Sequence, residues 1–413
     1  MADATADLPL AKRPSTFLLV LIVSISPLTM HIYLPSLPGL AADLQASDAQ
    51  VQLTLSVYLF AVAVTQLIIG PLSDRFGRRP MLIWGLVIFL IATVFCRFAT
   101  SIDGLIIARG FQAIGGCAGM VIGRAIVRDI ASRDQAASLL GYVTMGMAIA
   151  QMIGPVIGGF LDGFYGWRAS FDLLLLLGVV LLALVFTTLR ETHQAKQSAF
   201  SPTALWNSHA ALLGEARFWA FSLTGAMASG VFFAFLGGGP IISQRELGLA
   251  PVEYGLYFTL IAAGYALGNY ISGRFSVHFG PPRMILYGNV MALLAMILMA
   301  ILIAFGALHP LSLFGPMLLS SLANGLTMPN SISGALSVRP ELAGTASGLS
   351  GSLQVMVGAM ATVVVGWTLH LGLWPLITLM AVLAVLALIA GMTANALEKR
   401  ASAAATPAPT HLQ

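Results

Sequence analysis

Apolar residues in this chain run in long blocks rather than in alternation or along one helical face. Twelve stretches stand out: 15–38, 51–72, 80–98, 103–127, 136–161, 169–190, 217–243, 253–275, 283–306, 311–337, 343–370 and 374–397. Each predicts a membrane-spanning helix, which needs about 20 mostly apolar residues to cross the hydrocarbon layer. The first block follows Lys12 and Arg13, has no small-residue cleavage site and runs too long for a signal peptide, so it reads as a true span. The longest polar interruption, 190–216, separates two sets of six. The expected organisation is an N-terminal tail (1–14), a six-helix bundle (15–190), a central loop (191–216), a second six-helix bundle (217–397) and a C-terminal tail (398–413).

Composition narrows the class. Hydrophobic residues make up 58% and charged residues only 9%, with a mean hydropathy of +0.90. Soluble domains carry about 25% charged residues. A cytosolic enzyme, a disordered chain and a disulfide-stapled secreted domain are excluded, which leaves an all-α polytopic membrane protein. Cys96 and Cys117 are isolated, and no cysteine–histidine cluster suggests a metal.

The basic residues set the expected orientation. With both termini cytoplasmic, the inside holds sixteen: Lys12, Arg13, Arg75, Arg78, Arg79, Arg124, Arg128, Arg133, Arg190, Lys196, Arg217, Arg274, Arg283, Arg339, Lys399 and Arg400. The outside holds three, Arg97, Arg168 and Arg245. That is a strong positive-inside bias. The net charge of +4 therefore reports topology and anionic lipid, and no nucleic-acid partner is expected.

A faint repeat supports the halving. At an offset of 203 residues Gly70 matches Gly273, Phe76 matches Phe279, Gly77 matches Gly280, Gly141 matches Gly344 and Gln151 matches Gln354. Duplicated six-helix halves are one plan of secondary transporters.

Candidate chemistry falls in four places. The loop after span two reads Gly70-Pro-Leu-Ser-Asp74-Arg75-Phe-Gly77-Arg78-Arg79-Pro80. Its glycines permit tight turning, and Asp74 can cap a helix or pair with an arginine and release it when helices move. The plainer reading is a basic loop that only sets orientation. In span five, Gly146, Ala150, Gly154 and Gly158 recur every four residues and Pro155 bends the helix. That smooth stripe suits either a sliding seam or static close packing; span eleven has a similar run, Ala343, Ser347 and Gly351. In span four, Arg109 lies six residues inside the predicted outer end, about 9 Å deep. A charge near the bilayer centre costs about 2.5–3.5 kcal/mol on insertion scales. Arg109 is therefore expected to face a wet chamber between the bundles, unless it snorkels to the interface. In span one, His31 lies seven residues inside Pro38, about 10 Å deep.

These segments together resemble a known family. The loop around Asp74 resembles the signature loop of the major facilitator superfamily. Asp103-Gly-Leu-Ile-Ile-Ala-Arg109-Gly-Phe-Gln112-Ala-Ile-Gly115 resembles its intramembrane-arginine motif, and Gly154-Pro155-Val-Ile-Gly158-Gly159 its antiporter motif, with Ala150 where a glycine is common. Tyr33-Leu-Pro35-Ser-Leu-Pro38, Arg124-Ala-Ile-Val-Arg128-Asp129, Gly325-Leu-Thr-Met-Pro329-Asn330 and Gly344-Thr-Ala-Ser347 ahead of Gln354 resemble the Bcr/CflA drug-resistance branch. The resemblance spans about 15–397. It implies two pseudo-symmetric six-helix bundles and export of small drug-like molecules across a bacterial inner membrane in exchange for protons. No cofactor beyond the proton gradient is implied. The expected partners are an amphipathic substrate, protons and the lipid bilayer, with the chain a monomer.

His31 departs from that branch, which usually has an aspartate just before the Ile/Met-Tyr-Leu-Pro run, an acid thought to carry protons. An unperturbed imidazole titrates near pH 6.5, which suits a proton carrier, although Arg109 in the same cavity would oppose its protonation. Alternatively His31 is a neutral histidine hydrogen-bonded to a helix neighbour or to substrate. Asp172, near Arg168 at the outer end of span six, is the next candidate for proton traffic. The cavity candidates are Tyr33, Tyr58, Gln112, Tyr142, Met145, Phe232, Phe233, Phe235, Tyr257, Asn330 and Gln354, with Gly237-Gly238-Gly239-Pro240 able to bend span seven. His193, His209, His278, His309, His370 and His411 fall in loops or at span ends and read as solvated. A second reading keeps the fold and makes the chain a single-metabolite exporter or facilitator without proton coupling at His31. An embedded enzyme would need paired carboxylates, a metal cluster or a nucleophile–base pair at depth, and the sequence has no phosphate-binding loop for ATP.

Overall fold

The computed structural model describes residues 14–130, 133–192 and 202–405. Lys12, Arg13, His193, Lys196 and His411 lie outside them. Among the described residues the regular structure is helical: α1 (Thr16–His31), α2 (Leu37–Asp43), α3 (Asp48–Phe76), α4 (Arg78–Arg97), α5 (Ile102–Ile130), α6 (Arg133–Tyr165), α7 (Arg168–Thr188), α8 (Pro202–Leu213), α9 (Ala216–Leu247), α10 (Pro251–Phe279), α11 (Pro281–Ala304), α12 (Pro310–Ser337), α13 (Ala343–Thr368) and α14 (Leu373–Ala405). Helix is the expected solution in lipid, where each main-chain polar group must find its partner within the segment.

All twelve expected blocks are helical. Among the described residues eleven helices are long and apolar enough to cross a membrane, counting α1 and α2 as one broken span, Thr16–Asp43. The block at 253–275 forms a full-length helix, α10, that falls short in hydropathy. Four tyrosines, Asn269, Arg274 and His278 dilute it. Within the polar interruption at 190–216 the structure forms a short helix, α8. Leu212 of α8 is buried with Phe218, Phe221, Ile285, Ala335, Ala346 and Ala394, which anchors the end of the helix there.

The repeat is explicit in the helices. α3 and α10 each have 29 residues, and both their ends are offset by 203. Gly77 and Gly280, the next residues, both take positive φ, +93° and +79°. Only glycine adopts that conformation without strain, and it lets one helix stop and the next begin at a new angle.

The chain divides into two compact units. Unit 1 comprises Met1–Ser201, Phe233–Ala262 and Ala359–Leu376; unit 2 comprises Pro202–Phe232, Ala263–Gly358 and Ile377–Gln413. Helices α9, α10 and α13 thus contribute one part to each. Lipid tails are as apolar as leucine, so helices associate through close packing at small residues. In unit 1 a Cβ on Gly115 of α5 would lie 2.5 Å from the Phe89 main chain of α4, and one on Gly119 would lie 2.5 Å from Ile22 O of α1. In unit 2, Gly264 and Gly268 of α10 rest directly on the Leu318 and Leu322 carbonyls of α12.

Candidate functional site

The first span is built to break. Pro27 cannot donate a main-chain bond, the helix stops at His31, and a turn of 3-10 helix (Leu34–Ser36) leads to α2. Against this break lies Arg109, in the second turn of α5. Its Nη1 donates to Gln112 Oε1 at 2.6 Å and to Thr29 O at 3.4 Å. Gln112 Nε2 donates onward to Thr93 Oγ1 of α4 at 2.8 Å. The rings of Tyr33 and Tyr58 lie 4.1 and 4.3 Å from the guanidinium carbon. The Tyr58 hydroxyl donates to Ser26 O at 3.1 Å, and the Tyr33 hydroxyl lies 3.2 Å from Thr54 Oγ1.

Two ring faces thus do for Arg109 what a carboxylate usually does. The negative face of a desolvated aromatic ring attracts a cation by about 2 kcal/mol. Among the described residues no carboxylate pairs with Arg109, and its Nε and Nη2 have no acceptor. The expectation that Arg109 faces a wet chamber is corrected. Its relative exposure is 0%, because the tyrosines and Gln112 close over it inside unit 1. Tyr33, Tyr58 and Gln112, read as cavity lining, are equally buried and committed to this cluster.

His31 is also fully buried in unit 1. Its Nδ1 lies 2.8 Å from Pro27 O. A carbonyl only accepts, so Nδ1 carries the hydrogen and Nε2 is the basic nitrogen. The imidazole stands edge-on to Phe258 of α10, with ring centroids 6.4 Å apart and planes at 62°.

The small-residue stripe of α6 is the wall behind His31. A Cβ on Gly154 would lie 3.0 Å from His31 Cβ, and one on Gly158 would run into the Ile32 carbonyl. Gly159 faces the Pro251 carbonyl, and in return a Cβ on Gly255 of α10 would lie 2.6 Å from Pro155 O. The same helix therefore touches the break in span one on one face and α10 on another, with bare backbone at both contacts.

The charged loop forms a connected cluster at the opposite ends of these helices. Arg78 pairs with Asp74 at 2.5 Å and with Asp129 at 2.9 Å, and donates to Ser73 Oγ at 2.6 Å. Glu191, which the sequence reading left in a loop, caps α4. Its two oxygens accept from the main-chain N–H groups of Arg78 (2.9 Å) and Arg79 (3.1 Å). A carboxylate at a helix N-terminus meets unpaired donors and the positive end of the dipole. Arg79 also donates to Phe186 O at 2.8 Å. Ser73 donates to Gly70 O at 2.8 Å. Arg75 and Arg128 are exposed, Arg75 over the Phe76 ring.

A further polar ladder escaped the sequence reading. Asp48, Gln52 and Ser56 repeat every four residues on α3, one face of the helix. Asp48 pairs with Arg245 at 2.8 Å, Gln52 Nε2 donates to Gly237 O at 2.6 Å, and Ser56 Oγ lies 2.7 Å from Thr362 Oγ1. All of these partners belong to unit 1. The four-residue spacing was visible; the partners, on α9 and α13, were not.

The remaining candidates do not join one site. Asp172 is exposed and pairs with Arg97 at 2.6 Å. Arg168, its expected neighbour, pairs instead with Asp43 at 2.5 Å. Arg97 on α4 lies across from α7, whereas Arg168 turns toward α2. Tyr142 and Met145 are 54% and 55% exposed on α6. Phe235 is buried, and Phe232, Phe233 and Tyr257 are half-buried. In unit 2, Asn330 donates to Ser272 Oγ and Leu326 O at 2.8 and 2.7 Å, a helix-to-helix tie rather than a lining group. Gln354 packs near Gly225 and Ser331.

A break in span one, an intramembrane arginine, a glycine-walled α6 and a charged loop after α3 are now all placed. The family model for the Major Facilitator Superfamily matches residues 19–362. The chain belongs to the major facilitator superfamily. Within it, the chain is 31% identical over 339 residues to multidrug resistance protein D of Escherichia coli, covering 82% of this chain and 84% of that protein. It is 28% identical over 365 residues to a bicyclomycin resistance protein homolog of Haemophilus influenzae, covering 84% and 89%. These relatives fit the Bcr/CflA-like branch. The fold matches a crystal structure of a bacterial homolog of the human lysosomal transporter Spinster, inward-facing and unoccupied, with a TM-score of 0.73, 17% identity and coverage of 96% and 98%. As a superfamily member the chain is a multi-pass membrane transporter and not an enzyme.

Proposed function

We propose that this transporter exports small amphipathic drug-like molecules across a bacterial inner membrane in exchange for protons, by alternating access, as a monomer with both termini cytoplasmic. Drug export is supported by the resistance proteins it resembles, and the orientation by the sixteen-to-three distribution of basic residues. The proton step rests on one observation. His31 is buried where span one breaks, against Gly154. Its Nε2 takes the proton from the outside while Pro27 O holds the other nitrogen, and burial makes the charged imidazolium unfavourable enough for the proton to be surrendered. Sliding of α6 past Ile32 changes which side His31 meets, and the Asp74–Arg78–Asp129 cluster holds one arrangement. Asp172, exposed and paired with Arg97, takes no part.

The test uses everted membrane vesicles. An imposed proton gradient drives drug accumulation, and an uncoupler abolishes it. Movement indifferent to the gradient removes antiport. His31→Ala and His31→Asp shift the pH profile of transport; unchanged profiles in both remove His31 from coupling. That result favours the second reading, a single-metabolite exporter or facilitator in which His31 serves the structure through Pro27 O.

A further inference from the structure

The charge at depth in this chain is of one sign. All sixteen acids fall in the tails, in loops or within about two helical turns of a helix end. Arg109 has no such company. Around it the other polar groups are committed: Tyr33 lies against Thr54, Tyr58 donates to Ser26, and Gln112 joins Thr93 to Arg109 itself. What is left over is the donor capacity of Nε and Nη2, two buried N–H-bearing atoms without an acceptor among the described residues.

We propose that Arg109 is the cargo receptor, and that the transporter accordingly exports neutral or anionic molecules bearing an oxygen acceptor and excludes lipophilic cations. The inference rests on the export reading above and narrows its substrate class. An oxygen of a carbonyl, nitro, sulfonyl or carboxylate group placed against Nε and Nη2 satisfies both donors at once, in charge-assisted bonds that are stronger than neutral ones. The Tyr33 and Tyr58 rings that close over Arg109 part from the guanidinium to admit the cargo, and the faces so released meet its apolar body. A cation gains nothing there. It loses its hydration and meets a like charge where no water screens the repulsion.

The experiment uses the purified full chain in proteoliposomes under a proton gradient, with three probes: ethidium (a fixed cation), chloramphenicol (neutral, rich in oxygen acceptors) and nalidixate (a carboxylate). Chloramphenicol or nalidixate moves at least tenfold faster than ethidium. Arg109→Lys preserves that order, and Arg109→Gln lowers the favoured rate at least tenfold. Gln112→Glu sets a carboxylate at Nη1 without changing side-chain length; it slows nalidixate and speeds ethidium, each at least tenfold, and keeps the proposal testable if Arg109→Gln does not fold. Ethidium carried as fast as the other two overturns the inference and leaves drug export standing. An unchanged order in Gln112→Glu overturns Arg109 as receptor. Movement of none of the three overturns the export reading, and this inference with it.

Discussion

Gln52→Leu isolates the strongest rung of the ladder on α3. The Gln52 side chain is fully buried, and its Nε2 meets Gly237 O at 2.6 Å. Leucine fills similar space and removes the donor, leaving a buried carbonyl alone, at a cost of about 2 kcal/mol. The next rung is weaker. Asp48 and Arg245 have side chains 20% and 43% exposed, and such a pair contributes less than about 1 kcal/mol. Ser56, 3% exposed in the same ladder, reports on opening. In a Ser56→Cys chain with Cys96 and Cys117 replaced by alanine, N-ethylmaleimide reacts only when α3 parts from α13. The labelling rate then follows the open fraction. About 2 kcal/mol raises it about 25-fold in Gln52→Leu, and Asp48→Asn raises it less than about 5-fold. A labelling rate unmoved by Gln52→Leu, or moved more by Asp48→Asn, refutes the ranking.

Other consequences are direct. Glu191→Ala removes the α4 cap and lowers stability by about 1 kcal/mol in a detergent melt, and Gly77→Ala adds strain at φ +93° besides placing a Cβ 2.6 Å from Glu191 Oε2. Gly158→Ala drives a methyl into the Ile32 carbonyl and costs about 1–3 kcal/mol, more than Gly154→Ala, whose Cβ meets His31 Cβ at 3.0 Å; equal melting temperatures for the two contradict the packing. Tyr58→Phe retains the ring over Arg109 and most of the stability, whereas Tyr58→Leu loses about 2 kcal/mol, read as the difference between two thermal melts. Asp172→Asn leaves the pH profile of transport where it was, since an exposed pair with Arg97 contributes little.

How much was legible in the sequence follows from the range of each interaction. The length of an apolar run is a local property, and in lipid it dictates a helix whatever surrounds it; hence the helical blocks and the repeat at an offset of 203 were readable. Glycine spacing in α6 was readable too, because four-residue steps put Gly154 and Gly158 on one face before any partner is known. Where the dilution is polar but local, as in α10, the helix still formed. The partners were not readable. Glu191 reaches α4 across 113 residues, and Gln52 reaches Gly237 across 185. Several carboxylates and several carbonyls would have satisfied the same donors equally well. Arg109 shows the division most sharply. Its sequence position required it to be sheltered, since an isolated charge in hydrocarbon is too costly. Only the packing of α1, α3, α4 and α5 decided that two tyrosine rings and a glutamine provide the shelter. The choice among chemically equivalent partners is made by distance in space, which the order of residues does not contain.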